Sequence, residues 1–150
     1  MPFRFALAPL LRLRQSIERQ RTLELRKANL QVARAQESLA QLERFLENAA
    51  QTDSKGMAAG CTAADLQFAS VLRENLLGLR QELQSELRQL ELARQKALAA
   101  YHEAYREREI LETLRASQRR AYQQEQSRRE QRRQDADYLL QRHHRRDGCG

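Results

Sequence analysis

The fold of this chain is decided by residues 69–114, which read ASVLRENLLGLRQELQSELRQLELARQKALAAYHEAYREREILETL. Apolar residues recur there at alternating steps of three and four, the a and d spacing of a coiled coil. Twelve of the fourteen a and d positions are apolar, and Glu86 and Glu107 are the two exceptions. The segment contains no proline, and Gly78 is its single glycine. We therefore predict one continuous helix through it.

A second row of the same spacing lies nearer the amino terminus, at Leu25, Ala28, Val32, Ala35, Leu39, Leu42, Leu46 and Ala49. Before this row, Leu10, Leu13 and Ile17 follow the same rule in another phase, which predicts a stutter between the two phases. Pro9 suits the first turn of a helix. We predict helix 1 over about residues 9–50.

The two rows are separated by residues 51–61, a segment with loop chemistry. Its loop-forming residues are Thr52, Asp53, Ser54, Gly56 and Gly60. Thr62, followed three residues later by Asp65, is typical of a helix N-cap with an acidic first turn. Helix 2 is therefore predicted over about residues 63–140, with a flexible basic tail at 141–150.

Two apolar rows joined by one loop predict an antiparallel pair of helices. Folding the chain at the centre of the predicted loop brings Leu46 opposite Ala69 and Leu25 opposite Leu90. We therefore predict an all-α, single-domain chain in which two long helices form an antiparallel coiled-coil hairpin. In this register the amino end of helix 1 lies opposite about Leu111. The longer helix 2 therefore extends beyond it by roughly 25 to 30 residues, or ~40 Å.

The predicted overhang is basic. The chain has a net charge of +7, and residues 115–150 hold ten arginines against five acidic residues. Three interpretations are open: a solvated helix face, a contact with an acidic protein surface, and a nucleic-acid site. The arginines alternate with glutamine and acidic residues, and no interleaved aromatic residues support base stacking, which argues against the third.

The pattern excludes several other classes of site. A two-stranded coil offers a seam and no pocket where catalytic groups converge, so we expect no enzymatic activity and no cofactor. We interpret His143, His144 and Cys149 as part of the basic tail and not as metal ligands, because adjacent helical residues point in different directions. No stretch approaches the ~20 apolar residues of a membrane span. Cys61 and Cys149 suggest no disulfide framework, which fits a cytoplasmic protein.

Two aromatic residues, Phe45 and Phe68, stand beside the seam near the predicted loop. Each precedes an a position by one residue, and the predicted register places them level with each other. Half-exposed aromatic side chains at one height are typical of a partner-binding patch. The alternative is that they only flank the core.

Short motifs along the chain occur in a characteristic order. The chain opens with Pro2-Phe3-Arg4-Phe5 and continues with Leu10-Leu11-Arg12-Leu13-Arg14. Its second half carries Tyr105-Arg106-Glu107-Arg108-Glu109, Arg119-Arg120 and Arg128-Arg129-Glu130-Gln131. In this order, and over nearly the whole chain, the motifs resemble those of the flagellar export protein FliJ family. One departure is Asp135-Ala136-Asp137, where many members have two successive acidic residues.

The resemblance implies a non-enzymatic component of the flagellar type III export apparatus in the bacterial cytoplasm. The implied partners are the hexameric export ATPase, which receives the hairpin as a stalk, the cytoplasmic part of the export gate membrane protein, and the export chaperones. No nucleic acid and no membrane insertion are implied. The equivalent stalk of a virulence type III injectisome is the alternative function, followed by a basic coiled coil that binds nucleic acid.

The resemblance also assigns candidate residues. The candidate contact with the ATPase ring is Arg115, Arg119, Arg120, Arg128, Arg129, Arg132 and Arg133. The candidate contact with the export gate is Leu42, Phe45, Phe68 and Leu72. Leu42 and Leu72 also belong to the predicted seam, so a gate contact requires a loose coil there. The small side chains of Ala35, Ala49 and Ala69 are compatible with a loose coil.

Overall fold

The computed structural model describes residues 2–60 and 62–149, apart from the side chain of Ala58. That part of the chain contains two helices and no strand. Helix α1 spans Ala8–Ala59, 52 residues, and helix α2 spans Ala63–Asp147, 85 residues. The prediction of an all-α helical hairpin is confirmed. Contacts divide the chain into a terminal unit, Met1–Ser16 with Tyr105–Gly150, and a central unit, Ile17–Ala104.

Both helices begin where the sequence predicts. The Ala8 N–H donates to the Phe5 carbonyl at 3.1 Å, and Pro9 occupies the first turn of α1. At the start of α2, the Asp65 N–H donates to the Thr62 hydroxyl at 3.2 Å. This N-cap satisfies one of the amide groups that have no partner within the helix.

Helix α1 does not end at residue 50, and the prediction of a loop over 51–61 is wrong for residues 51–59. The Thr52 hydroxyl donates to the Asn48 carbonyl at 2.9 Å, so this polar side chain has a hydrogen-bond partner while the backbone remains helical. Gly56 costs only about 1 kcal/mol in a helix interior. The chain leaves α1 at Gly60, whose φ of 85° is readily adopted by glycine. Cys61 lies outside the described residues.

The longer α1 changes the pairing of the helices within the central unit. Asp53 forms an ion pair with Arg73 at 3.6 Å. The predicted register places Arg73 beside Leu42, about 16 Å along the helix from Asp53, and is therefore wrong. The observed pairing is offset by one heptad, which places Leu46 near Leu76. A groove elsewhere in the central unit agrees with the same offset. It is lined by Gln31, Arg34, Ala35 and Ser38 on α1 and by Leu83, Glu86 and Leu90 on α2.

The predicted stutter in α1 is also wrong. Leu11 is 3% exposed, whereas Leu10 and Leu13 are 37% and 55% exposed. Leu11 precedes Leu25 by two full heptads, so α1 keeps a single seam phase from its first turns. That phase places Arg14 at a seam position, where it pairs with a carboxylate of α2.

The core of each unit is thin. Six residues in the described part of the chain are buried: Phe5, Leu11, Ala28, Val32, Ala104 and Leu111. In the terminal unit, Phe5, Leu11 and Leu111 pack together, with Phe3 and Ala8 against them. A thin core makes the stability of this unit depend strongly on each of its few buried side chains.

Neighbouring leucines allow a direct test of the seam phase. We expect Leu11→Ala to lower the free energy of unfolding by about 2 to 4 kcal/mol, because it removes a buried side chain. Leu13→Ala, the matched control, should change it by less than about 0.5 kcal/mol, because that side chain is exposed. Urea unfolding followed by circular dichroism measures both. Equal losses, or a larger loss for Leu13→Ala, would contradict the observed seam.

Candidate functional site

The carboxyl-terminal part of α2 has no covering element in the described part of the chain. Every described residue from Gln123 to Cys149 is exposed, and α2 remains helical to Asp147. The helical part of this exposed segment is about 37 Å long at 1.5 Å per residue. We call residues 123–147 the exposed segment.

The helix extends past the predicted end of helix 2, so the prediction of a flexible tail over 141–150 is wrong for residues 141–147. Arg145 and Arg146 lie in the last turn of α2, where positive charge interacts favourably with the helix dipole. The Gly148 N–H donates to the His144 carbonyl at 3.0 Å and caps one of the last carbonyls.

All seven candidate arginines of the ring contact are exposed. Arg129 forms an ion pair with Glu125 at 3.2 Å. The other six take part in no ion pair within the described part of the chain; they are Arg115, Arg119, Arg120, Arg128, Arg132 and Arg133. At 100° per residue, the seven arginines are distributed around the whole circumference of α2. Apart from Arg129, these arginines therefore have charges available to a partner that surrounds the helix.

The four candidate gate residues fall into two pairs. Phe68 and Leu72 line a groove of the central unit, whereas Leu42 and Phe45 are absent from its lining. The prediction that Phe45 and Phe68 lie level with each other is wrong. Because the register is offset by one heptad, their heights along the helix pair differ by about 12 Å. Both rings are well exposed, Phe45 at 54% and Phe68 at 71%.

A groove lined mainly by apolar side chains lies beside the Gly60 turn and has a volume of about 320 Å³. We call it the turn groove. Its apolar walls are Leu46, Ala49, Leu66, Phe68, Ala69, Leu72 and Leu76. Ala49 and Ala69 are too small to close the seam, so the leucines and Phe68 around them remain accessible. Asp53 and Arg73 stand in the same groove and pair with each other.

Leu46, Ala49 and Leu76 are functional candidates that sequence reasoning missed, because their a and d positions marked them as core. A signal was present in Ala49 and Ala69, two small residues at seam positions close to the loop. Small residues at neighbouring seam positions leave space that a coiled coil normally fills with leucine.

A polar layer lies in the seam of the terminal unit. Arg14 pairs with Glu107, which accounts for one of the two charged positions in the heptad row. Beside them, the Gln15 amide donates to Glu112 at 3.4 Å, and Arg108 donates to the same carboxylate at 2.6 Å. The Arg108 side chain is only 16% exposed. Polar pairs at seam positions favour one register over others, because a shifted register leaves them without partners.

Glu86 is the other charged residue in the heptad row, and the seam accommodates it in a different way. Glu86 is exposed, and the neighbouring Leu87 is half-buried in its place, so the central seam is apolar there.

No helix among the described residues is long and apolar enough to cross a membrane. In the same residues, no group of three or more histidine, cysteine or acidic side chains is arranged to hold a metal ion.

Comparison with known proteins adds one finding to this geometry. A family model described as the flagellar FliJ protein matches residues 3–148. No curated protein and no solved structure matches the chain. The family match includes both helices, the turn groove and the exposed segment.

Proposed function

This chain belongs to the flagellar FliJ family, and we propose from that premise that it is a non-enzymatic stalk of the flagellar type III export apparatus. Family membership supports the assignment to flagellar export. In our proposal the chain binds the hexameric export ATPase, links it to the export gate and escorts export chaperones. It acts in the cytoplasm, at the export apparatus of the inner membrane. The family description is flagellar, which favours this apparatus over a virulence injectisome.

The exposed segment of α2 is the observation that carries the proposal. A single polar helix is marginal in water, because most helical stability comes from packing against another element. Arginines around the whole circumference give no single face for one partner helix. A ring that encloses the helix can meet charges on every side, so the segment suits insertion into a hexamer.

The turn groove supports the proposed contact with the export gate. It exposes Phe68 and Leu72 within an apolar depression, in which Asp53 and Arg73 pair with each other. A partner that fills it therefore buries apolar surface, which favours binding. Phe45 lies outside the lining, so we assign the gate contact to Phe68 and Leu72 ahead of Leu42 and Phe45.

A truncation tests the stalk proposal. We expect the full chain to bind the export ATPase and raise its rate of ATP hydrolysis, and a chain ending at Tyr122 to do neither. Among the described residues, Tyr122 is the last that is not exposed, and the centroids of its ring and the Phe3 ring are 5.6 Å apart, so the truncated chain keeps these contacts. A pull-down and a steady-state ATPase assay measure both effects, and circular dichroism reports whether the truncated chain remains helical. Full stimulation by a folded truncated chain would exclude the exposed segment as the stalk.

A further inference from the structure

A second groove lies in the terminal unit, next to the start of α1. Its volume is about 590 Å³. Phe3, Phe5 and Leu11 contribute its apolar lining, and Arg4, Arg12 and Arg115 contribute guanidinium groups. All three arginines are exposed. We call this the arginine groove.

The positive charge around the arginine groove is not balanced locally. Residues 2–17 and 113–124 together contain six arginines and no aspartate or glutamate. Arg14 is neutralised by Glu107, but Arg4, Arg12 and Arg115 take part in no ion pair within the described part of the chain. Uncompensated charge beside an apolar surface attracts an anionic partner and strengthens its electrostatic interaction.

The residues that line the arginine groove determine which class of anionic partner it can bind. A small inorganic anion would leave the apolar surface uncovered. A nucleic acid would need free aromatic faces for stacking. Phe5 is buried, and the Phe3 ring packs against the Tyr122 ring with 5.6 Å between their centroids. A peptide with one apolar side chain between carboxylates matches both the apolar lining and the arginines around it.

We propose that the arginine groove binds an acidic peptide segment of a partner protein. An apolar side chain of that segment rests against Phe3, Ala8 and Pro9, which line the groove and are not buried. Flanking carboxylates accept hydrogen bonds from Arg4, Arg12 and Arg115. The planar guanidinium groups suit this role, because each can donate two parallel hydrogen bonds to one carboxylate. The inference goes beyond the proposed stalk function and shares only Arg115 with the candidate ring contact.

Fluorescence polarisation with the full chain tests this inference. The probe is a short labelled peptide in which a leucine–phenylalanine pair is flanked on both sides by glutamates. A second peptide carries serine in place of the apolar pair. We expect the first peptide to bind the full chain, and the serine peptide to bind at least about tenfold more weakly, since it cannot cover the apolar lining.

Two charge-reversal variants locate the binding. Arg4→Glu with Arg12→Glu should weaken binding of the first peptide by about 100-fold, because two charged contacts become repulsive. Arg142→Glu with Arg145→Glu makes the same change in net charge at exposed positions of α2 and should alter binding by less than about twofold. Circular dichroism checks that both variants stay helical. Neither pair includes Arg115, and the assay contains no ATPase. A failure to detect peptide binding would therefore leave the stalk proposal intact.

Several outcomes would overturn the inference. These are no binding of the first peptide, equal affinity for the serine peptide, or equal weakening by the two charge-reversal variants. The same titration with a single-stranded oligonucleotide provides the remaining comparison. If the oligonucleotide binds more tightly than the peptide, and binding is lost in Arg4→Glu with Arg12→Glu, the groove is a nucleic-acid site instead.

Discussion

Replacing Arg128 and Arg132 together by glutamate is expected to weaken binding of the chain to the export ATPase by about 100-fold. The two residues are one helical turn apart on α2 and share a face. Both are exposed, and neither is paired with an acidic residue in the described part of the chain. Reversing them should therefore change the contact with the ring without removing an intramolecular interaction.

Salt dependence gives this prediction a second readout. If charge guides insertion into the ring, the affinity of the unmodified chain should fall as the ionic strength rises, because salt screens exposed charges. The affinity of the double variant should fall less. Isothermal titration calorimetry against the ATPase at several salt concentrations measures both slopes.

Arg19→Glu with Arg26→Glu is the matched control for this experiment. Both residues are exposed on α1 in the central unit, and the change in net charge is the same. We expect this variant to bind the ATPase with an affinity within about twofold of the unmodified chain, as for exposed charges outside a contact. If the control weakens binding as much as the change at Arg128 and Arg132, the attraction depends on net charge, and the exposed segment is not the contact.

The second large effect is expected at the turn groove. Phe68→Ala should weaken binding to the cytoplasmic part of the export gate by at least about 30-fold, the size typical of an aromatic anchor at an interface. Phe68 is the most exposed large hydrophobic side chain in the described part of the chain, so its removal should leave the fold intact. Surface plasmon resonance with the immobilised gate domain measures the loss.

Phe45→Ala provides a control with the same chemistry. Phe45 is also exposed on its helix, but it lies outside the lining of the turn groove. We expect this variant to bind the gate within about threefold of the unmodified chain, like a residue at the margin of an interface. Equal losses for the two variants would indicate one continuous patch, and a loss confined to Phe45→Ala would move the gate contact away from the groove. Binding to the ATPase should be unchanged in both.

The helical hairpin was predictable because its signals are local and repeated. Heptad spacing over residues 25–49 and 69–114 determines which faces are apolar, and the absence of proline after Pro9 permits long helices. Thr62 marked the start of α2 by a hydrogen bond to a residue three positions away, which sequence reasoning can detect. The arginines of α2 were likewise visible as composition.

The register was not predictable, because heptad patterns are compatible with any shift by a multiple of seven residues. The position of the turn and the pairing of Arg14 with Glu107 select one of these registers, and the turn depended on whether residues 51–59 were helical. Thr52, Asp53, Ser54 and Gly56 favour a loop when each is considered alone. In the structure, residues 51–59 instead extend α1 and bring Asp53 beside Arg73. The offset of one heptad then separated Phe45 from Phe68.

The chain's sequence by itself therefore determined two long helices, their apolar faces and the basic character of the end of α2. Only the tertiary structure decided which residues meet across the seam, and with them the turn groove, the pairing of Arg14 with Glu107 and the arginine groove. The physical reason is the range of the interactions. Helix formation and capping act over three or four residues, whereas a groove depends on side chains that become neighbours only after the register has been set.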